Sequence, residues 1–160
     1  MGFVVTLLLM IVCAAVQSTW PAWLRVHSQT PHLTLAAVIC LGLGTGGASG
    51  LTAGFLGALL WGSISSATLG QLFVSHMGLG FFAGSLRGRV FADRVLVAML
   101  LVGIGVLVAS LVELLLAPPP SPQPWMWQAL VRALYSAAVA APIYLLVRSL
   151  RRFYPEPETL

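Results

Sequence analysis

Few residues in this chain combine a type and a spacing that could do chemistry. His27 and His32 lie five apart in the polar stretch 20–32 with no cysteine or carboxylate beside them, so the spacing of a metal-binding set is missing. Both read as histidines solvated at a membrane interface. Cys13 and Cys40 fall inside apolar runs without C-x-x-C spacing and read as small core residues. His76 and Glu113 each stand alone in an apolar segment. No Ser/His/Asp set and no cluster of carboxylates accompanies them, which argues against an enzyme. Gly42-Leu-Gly44-Thr-Gly46-Gly47 matches the G-x-G-x-x-G string of dinucleotide sites, but the βαβ context that gives the string meaning is absent. No metal and no cofactor is expected.

The setting of these groups is a membrane. Of 160 residues 59% are apolar and 8% charged, and the mean hydropathy is +0.97, far outside the range of soluble domains. The net charge of +4 comes from arginines with no lysine, and no basic stripe interleaved with aromatics suggests nucleic acid. The expectation is an all-α polytopic membrane protein: one transmembrane helical domain over 1–150 and a cytoplasmic tail over 151–160. Ionisable groups inside such helices are functional suspects by default. Glu113 falls about one turn inside the end of one helix and Arg132 about one turn inside the start of the next, so the two are expected to pair. Pairing relieves a burial cost of about 2.5–3.5 kcal/mol per charge at a helix centre, less near the interface. His76 shares a four-residue ladder with Gly80, Gly84 and Gly88, which predicts a histidine hydrogen-bonded inside the bundle, with a solute or proton-relay role as the alternative.

Six helical segments would position these groups. The stretch 33–62 carries no charge and has seven glycines between Gly42 and Gly57, so it reads as a short hairpin embedded in the membrane. Its second arm has small residues at Gly46, Gly50, Gly54, Ala58 and Gly62, a face another helix backbone could approach closely, and is taken as the packing centre. The first helix is placed at 3–18. Residues 1–6 fit a loose myristoylation pattern and 3–16 the length of a signal-peptide core, but no basic residue precedes the apolar run, so an uncleaved helix is preferred. A fourth segment follows at 66–86, a charged loop at 87–94, a fifth helix at 95–116, a stiff PPPSPQP connector at 118–124, and a sixth helix at 127–150. In that last helix Ala129, Ala133, Ala137 and Ala141 form a second ladder, and Pro142 should bend it.

Six crossings put both termini on one side, together with Arg87, Arg89, Arg94, Arg148, Arg151 and Arg152, hence in the cytoplasm. Trp20, Trp23, Trp61, Trp125 and Trp127 then all fall at the outer interface. Should the hairpin arms only dip in from outside, the sides stand and the crossings drop to four.

The order of these features resembles the rod shape-determining MreD family. It runs from a first helix ending Gln17-Ser-Thr and a link closing with Pro31 to the glycine-rich Gly50–Gly57 and the arginine loop. Glu113 follows, and then a last helix reading Ala133-Leu-Tyr135-Ser-Ala-Ala-Val-Ala-Ala-Pro142-Ile-Tyr144 before Arg148, Arg151 and Arg152. The likeness covers nearly the whole chain. Where the family often has an acid after the glycine-rich helix this chain has Trp61-Gly62, and where it often has Asn this chain has Ser136. The resemblance implies a bundle similar to the S components of energy-coupling-factor transporters. It also implies a non-catalytic scaffold of the bacterial inner membrane, serving cell elongation and peptidoglycan synthesis. The implied partners are an MreC-like protein, a RodA-like glycosyltransferase and a class B penicillin-binding protein. Gly46, Gly50, Gly54, Gly80 and Gly84 are the candidate packing or partner face. The alternative is a solute-binding subunit of a membrane transporter, which requires a cavity where His76, Glu113 and Arg132 converge.

Overall fold

One helix of thirteen residues, buried along its whole length, holds the fold together. A computed structural model describes residues 3–27, 29–65, 68–87, 95–116, 118 and 122–153. Over these it contains α1 (Phe3–Ser18), α2 (Leu33–Thr45), α3 (Gly47–Gly62), α4 (Leu69–Ser85), α5 (Val95–Leu116) and α6 (Pro122–Phe153), a 3-10 turn at Ala22–Leu24, and no strand. The fold class is all-α. Gly2 of the myristoylation pattern, loop residues 88–94 with Gly88, most of the 118–124 connector's first half and the tail from 154 on lie outside the described residues.

Every residue of α2 is buried, and α2 touches all five other helices. The centre is therefore the first arm of the glycine-rich hairpin and not the second. The reason lies in side-chain size: α2 carries Leu35, Val38, Ile39, Leu41 and Leu43, bulk that fills a core in every direction, whereas the small face of α3 serves chiefly one neighbour. That neighbour is α4. A Cβ added at Gly50 would strike the Gly80 carbonyl and one at Gly80 the Gly50 carbonyl, while one at Gly54 would meet the backbone of His76 and Met77. Gly84 presses in the same way on Gly46 and Gly47. The predicted small-residue faces thus close on each other inside the bundle. Gly46 itself is the single residue between α2 and α3, at φ 103° and ψ 176°, a region essentially restricted to glycine.

Two helices, Val95–Leu116 and Pro124–Leu150 within α6, are long and apolar enough to cross a bilayer. At 1.5 Å per residue α5 reaches about 33 Å against a hydrocarbon core of about 30 Å, while α1, α3 and α4 reach about 24–26 Å and α2 about 20 Å. Of the six expected spanning segments, two therefore qualify by their own length and composition among the described residues. α5 turns Leu96, Leu100, Ile104, Val108, Leu111 and Leu115 outward as one exposed apolar stripe. α6 begins at Pro122, five residues earlier than the sequence suggests, because prolines in a first helical turn lose no hydrogen bond. It also runs three residues into the predicted tail and continues through Pro142.

Candidate functional site

Above α2 the helix ends leave a polar cavity of about 260 Å³. Gln17 of α1, Thr30 and His32 of the link, Trp61 of α3 and Ser65 just beyond it, Gln71, Ser75 and His76 of α4, Ser110 and Glu113 of α5, and Arg132 of α6 line it. The tryptophans mark the same end of the molecule. Trp20 meets Tyr135 edge to face at 6.1 Å, His27 meets Trp127 at 6.3 Å, and His32 meets Trp61 at 6.4 Å.

The link between α1 and α2 forms one wall, and side chains of distant helices fix it. Tyr135 Oη donates to the Leu24 carbonyl at 2.8 Å, and the backbone N–H of His32 donates to Ser136 Oγ at 2.9 Å. A tight turn, with the Gln29 N–H on the Val26 carbonyl and His27 at φ 50°, aims Gln29 at α6. The buried start of α2 has no cap from His32. Instead Gln17 Oε1 accepts the Thr34 N–H at 2.9 Å and the Thr34 hydroxyl at 3.2 Å, supplying from α1 a partner that an orphan helix N–H requires.

Glu113 and Arg132 are neighbours as predicted, with Arg132 Nη1 3.7 Å from Glu113 Oε2. The stronger bonds of Arg132 go elsewhere: Nε and Nη2 donate to Gln29 Oε1 at 3.2 and 2.8 Å. Side-chain exposures of 27% for Arg132 and 42% for Glu113 put the pair at the cavity's mouth, so its net stabilisation is small. Opposite charges therefore stand side by side there with hydrogen-bonding capacity unused on Glu113.

His76 forms the floor, 1% exposed and seven residues beyond Leu69, about 10 Å into the helix. Its Nδ1 lies 3.1 Å from the Leu72 carbonyl and 3.2 Å from Ser75 Oγ. A carbonyl only accepts, so Nδ1 carries the hydrogen and Nε2 presents a bare lone pair. That Nε2 is buried without a partner, and so are His32 Nδ1 and Ser65 Oγ, all three on cavity residues. His32 departs from the solvated histidine expected of it, whereas His27 is exposed. Burial, with smaller pushes from Arg132 and His76, lowers the His32 pKa from 6.5 to about 3, which keeps the ring neutral. Cys13 and Cys40 are buried thiols of the core, and the described residues hold no group of three or more His, Cys, Asp or Glu.

The sequence pointed to His76, Glu113 and Arg132, and the cavity brings all three together. Gly50, Gly54, Gly80 and Gly84 lie below it as internal packing, with Gly46 at the far end of the bundle beside Arg87. Gln17, Gln29, Ser65, Gln71 and Ser110 went unnoticed. Gln17, Gln71 and Ser110 share a signal, a polar residue toward the same end of an otherwise apolar helix, legible once the alternating directions of the helices are applied to each in turn, whereas Gln29 and Ser65 lie in connections and carry no such signal. Comparison with protein-family models, with curated proteins and with solved structures gives no match.

Proposed function

We propose that this chain is a non-catalytic scaffold subunit of the bacterial inner membrane. Within the cell-elongation machinery that directs peptidoglycan synthesis, it holds an MreC-like partner and, with it, a RodA-like glycosyltransferase and a class B penicillin-binding protein. The observation that carries this reading is the order of MreD-like features along nearly the whole chain, from Gln17-Ser-Thr to Arg148. The all-helical bundle and its outward apolar stripe on α5 support it. The chain crosses six times with both termini in the cytoplasm, the four shorter helices crossing as parts of the bundle. Arg87 and Arg148 at one end and the tryptophans at the other support that orientation.

Because the glycine faces are closed on each other, the partner's helix docks by van der Waals contact on the outer side of α5. Copurification of the tagged protein from mild detergent, read by mass spectrometry, tests the reading. An MreC-like protein is expected at near-equal amount, and a folded Leu100→Trp, Ile104→Trp variant is expected to lose it. A second reading, a solute-binding subunit of a transporter, draws on the polar cavity. Recovery of an ATPase pair with a transmembrane coupling subunit selects it and rejects the first.

A further inference from the structure

We propose that the link between α1 and α2, together with the start of α6, is a docking surface for the phospholipid headgroup layer. Trp23, Val26 and Trp127 sit at the boundary of headgroups and acyl chains, and Arg25 meets a lipid phosphate. The proposal deepens the membrane reading given above and rests on it, since its occupant is the bilayer.

Three observations converge. The first is a division among the tryptophans. Trp20 stacks edge to face on Tyr135 with its Nε1 buried, and Trp61 stacks on His32. Trp23 and Trp127 instead stand outward, 81% and 58% exposed. An outward indole suits a headgroup layer, where its ring meets acyl chains and its N–H meets water or phosphate. The second observation is the backbone of the link. The Leu24 N–H donates to the Pro21 carbonyl, the Arg25 N–H to the Ala22 carbonyl and the Gln29 N–H to the Val26 carbonyl, while the Leu24 carbonyl accepts from Tyr135. Pairing polar backbone groups within the protein lowers the cost of taking a segment out of bulk water. The stretch that reads in the sequence as a solvated connection is thus fitted to a drier place.

The third observation says what covers this surface. The His27 ring meets Trp127 at 6.3 Å, which joins the link to α6. From Trp127 one exposed apolar face continues down α6 through Leu130, Leu134 and Leu145, on a helix long and apolar enough to span a bilayer. Acyl chains cover that face along the span, so its upper end meets the headgroups of the same lipids. Arg25 adds charge complementarity. It is exposed on the link between Trp23 and Val26, and its guanidinium has no partner among the described residues. A free cation at headgroup depth is drawn to lipid phosphate.

The test uses the full chain with Cys13 and Cys40 replaced by alanine, in nanodiscs of phosphatidylethanolamine and phosphatidylglycerol. A nitroxide is attached to Val26→Cys or, as the reference for the bilayer, to Ile104→Cys on the outer face of α5. Collision with oxygen, which enters lipid, and with a water-soluble nickel chelate gives the depth of each label. The Ile104 label should meet oxygen and escape nickel, and the Val26 label should meet nickel at a rate between that and the rate of the free label in solution. Arg25→Gln should shift the Val26 label toward water about fivefold, and Trp23→Ser with Trp127→Ser should shift it in the same direction. A Val26 label as open to nickel as the free one, with Ile104 in lipid, overturns the proposal and leaves the membrane reading standing. Nickel reaching Ile104 overturns both. A Val26 label unmoved by either set of folded variants is shielded by the link's own packing, and one shielded in native membranes but open in nanodiscs is covered by a protein partner; each result overturns the proposal.

Discussion

Arg132 gives its two short hydrogen bonds to Gln29 and only a 3.7 Å contact to Glu113, so the guanidinium acts first as a clasp between α6 and the link that precedes α2. Arg132→Ala should therefore destabilise the protein by about 1.5–3 kcal/mol, since it leaves Gln29 without its charged donor. Glu113→Ala should cost less than about 1 kcal/mol, as half-exposed ion pairs do. Unfolding in detergent measures both, and equal losses would refute the ranking. His32 makes a separate prediction. Its ring takes a proton near pH 3 when folded and near 6.5 when unfolded, so between those values the unfolded chain binds the extra proton. Stability is then greatest above pH 6.5 and falls as the pH is lowered, with a slope approaching about 1.4 kcal/mol per unit. Between pH 6.5 and 5.0, above the titration of ordinary carboxylates, the wild type should lose stability more steeply than His32→Asn. Parallel curves would show that the ring is solvated. The sequence placed Glu113 beside Arg132 because adjacent antiparallel helices bring equal depths together. It could not reveal Gln29, whose partnership with Arg132 depends on the turn at His27, a position where positive φ is rarely foreseen.

At the scale of elements, helix periods were easier to read than helix roles. The bounds of α1 and α5 follow from apolar runs with clear ends, and the hairpin turn follows from glycine crowding. The second alanine ladder did not survive intact. α6 buries Ala129 and Ala133 but then Ser136, Ala140, Tyr144 and Val147, because a strict four-residue repeat drifts around a helix of 3.6 residues per turn. Role was lost where two glycine-bearing arms competed for the centre: small residues mark close approach to one neighbour, while a centre needs bulk on every side. Gly78 and Gly80 make the point testable. Nothing lies within 4 Å of a Cβ at Gly78, whereas one at Gly80 strikes the Gly50 backbone. Gly78→Ala should raise stability by about 0.5–1 kcal/mol. Gly80→Ala should lower it by about 1–3 kcal/mol, as overpacking does. Melting temperatures of the two variants in one detergent decide the matter, and a matching sign would refute the α3–α4 contact.

The whole molecule is sided. One end gathers tryptophans and the cavity, the other Arg87 and Arg148, and the proposed orientation makes the first end external. Single cysteines at Trp23 and Arg148, in a chain with Cys13 and Cys40 replaced by alanine, report this directly with a membrane-impermeant maleimide. Intact cells should label the first and spare the second, and the reverse pattern would turn the protein over. The wholly buried α2 has a consequence for how such a protein is made. At about 20 Å it is too short to settle across a bilayer alone, and its first turn needs Gln17 from the helix made before it. One residue separates it from α3, whose glycines wait for α4. On the membrane reading, then, α1 to α4 enter the bilayer as a dependent group and hold no lasting arrangement until α4 leaves the ribosome. The quality-control proteases of the membrane have their opening in that interval, and α5 and α6, able to span unaided, arrive after the group has closed.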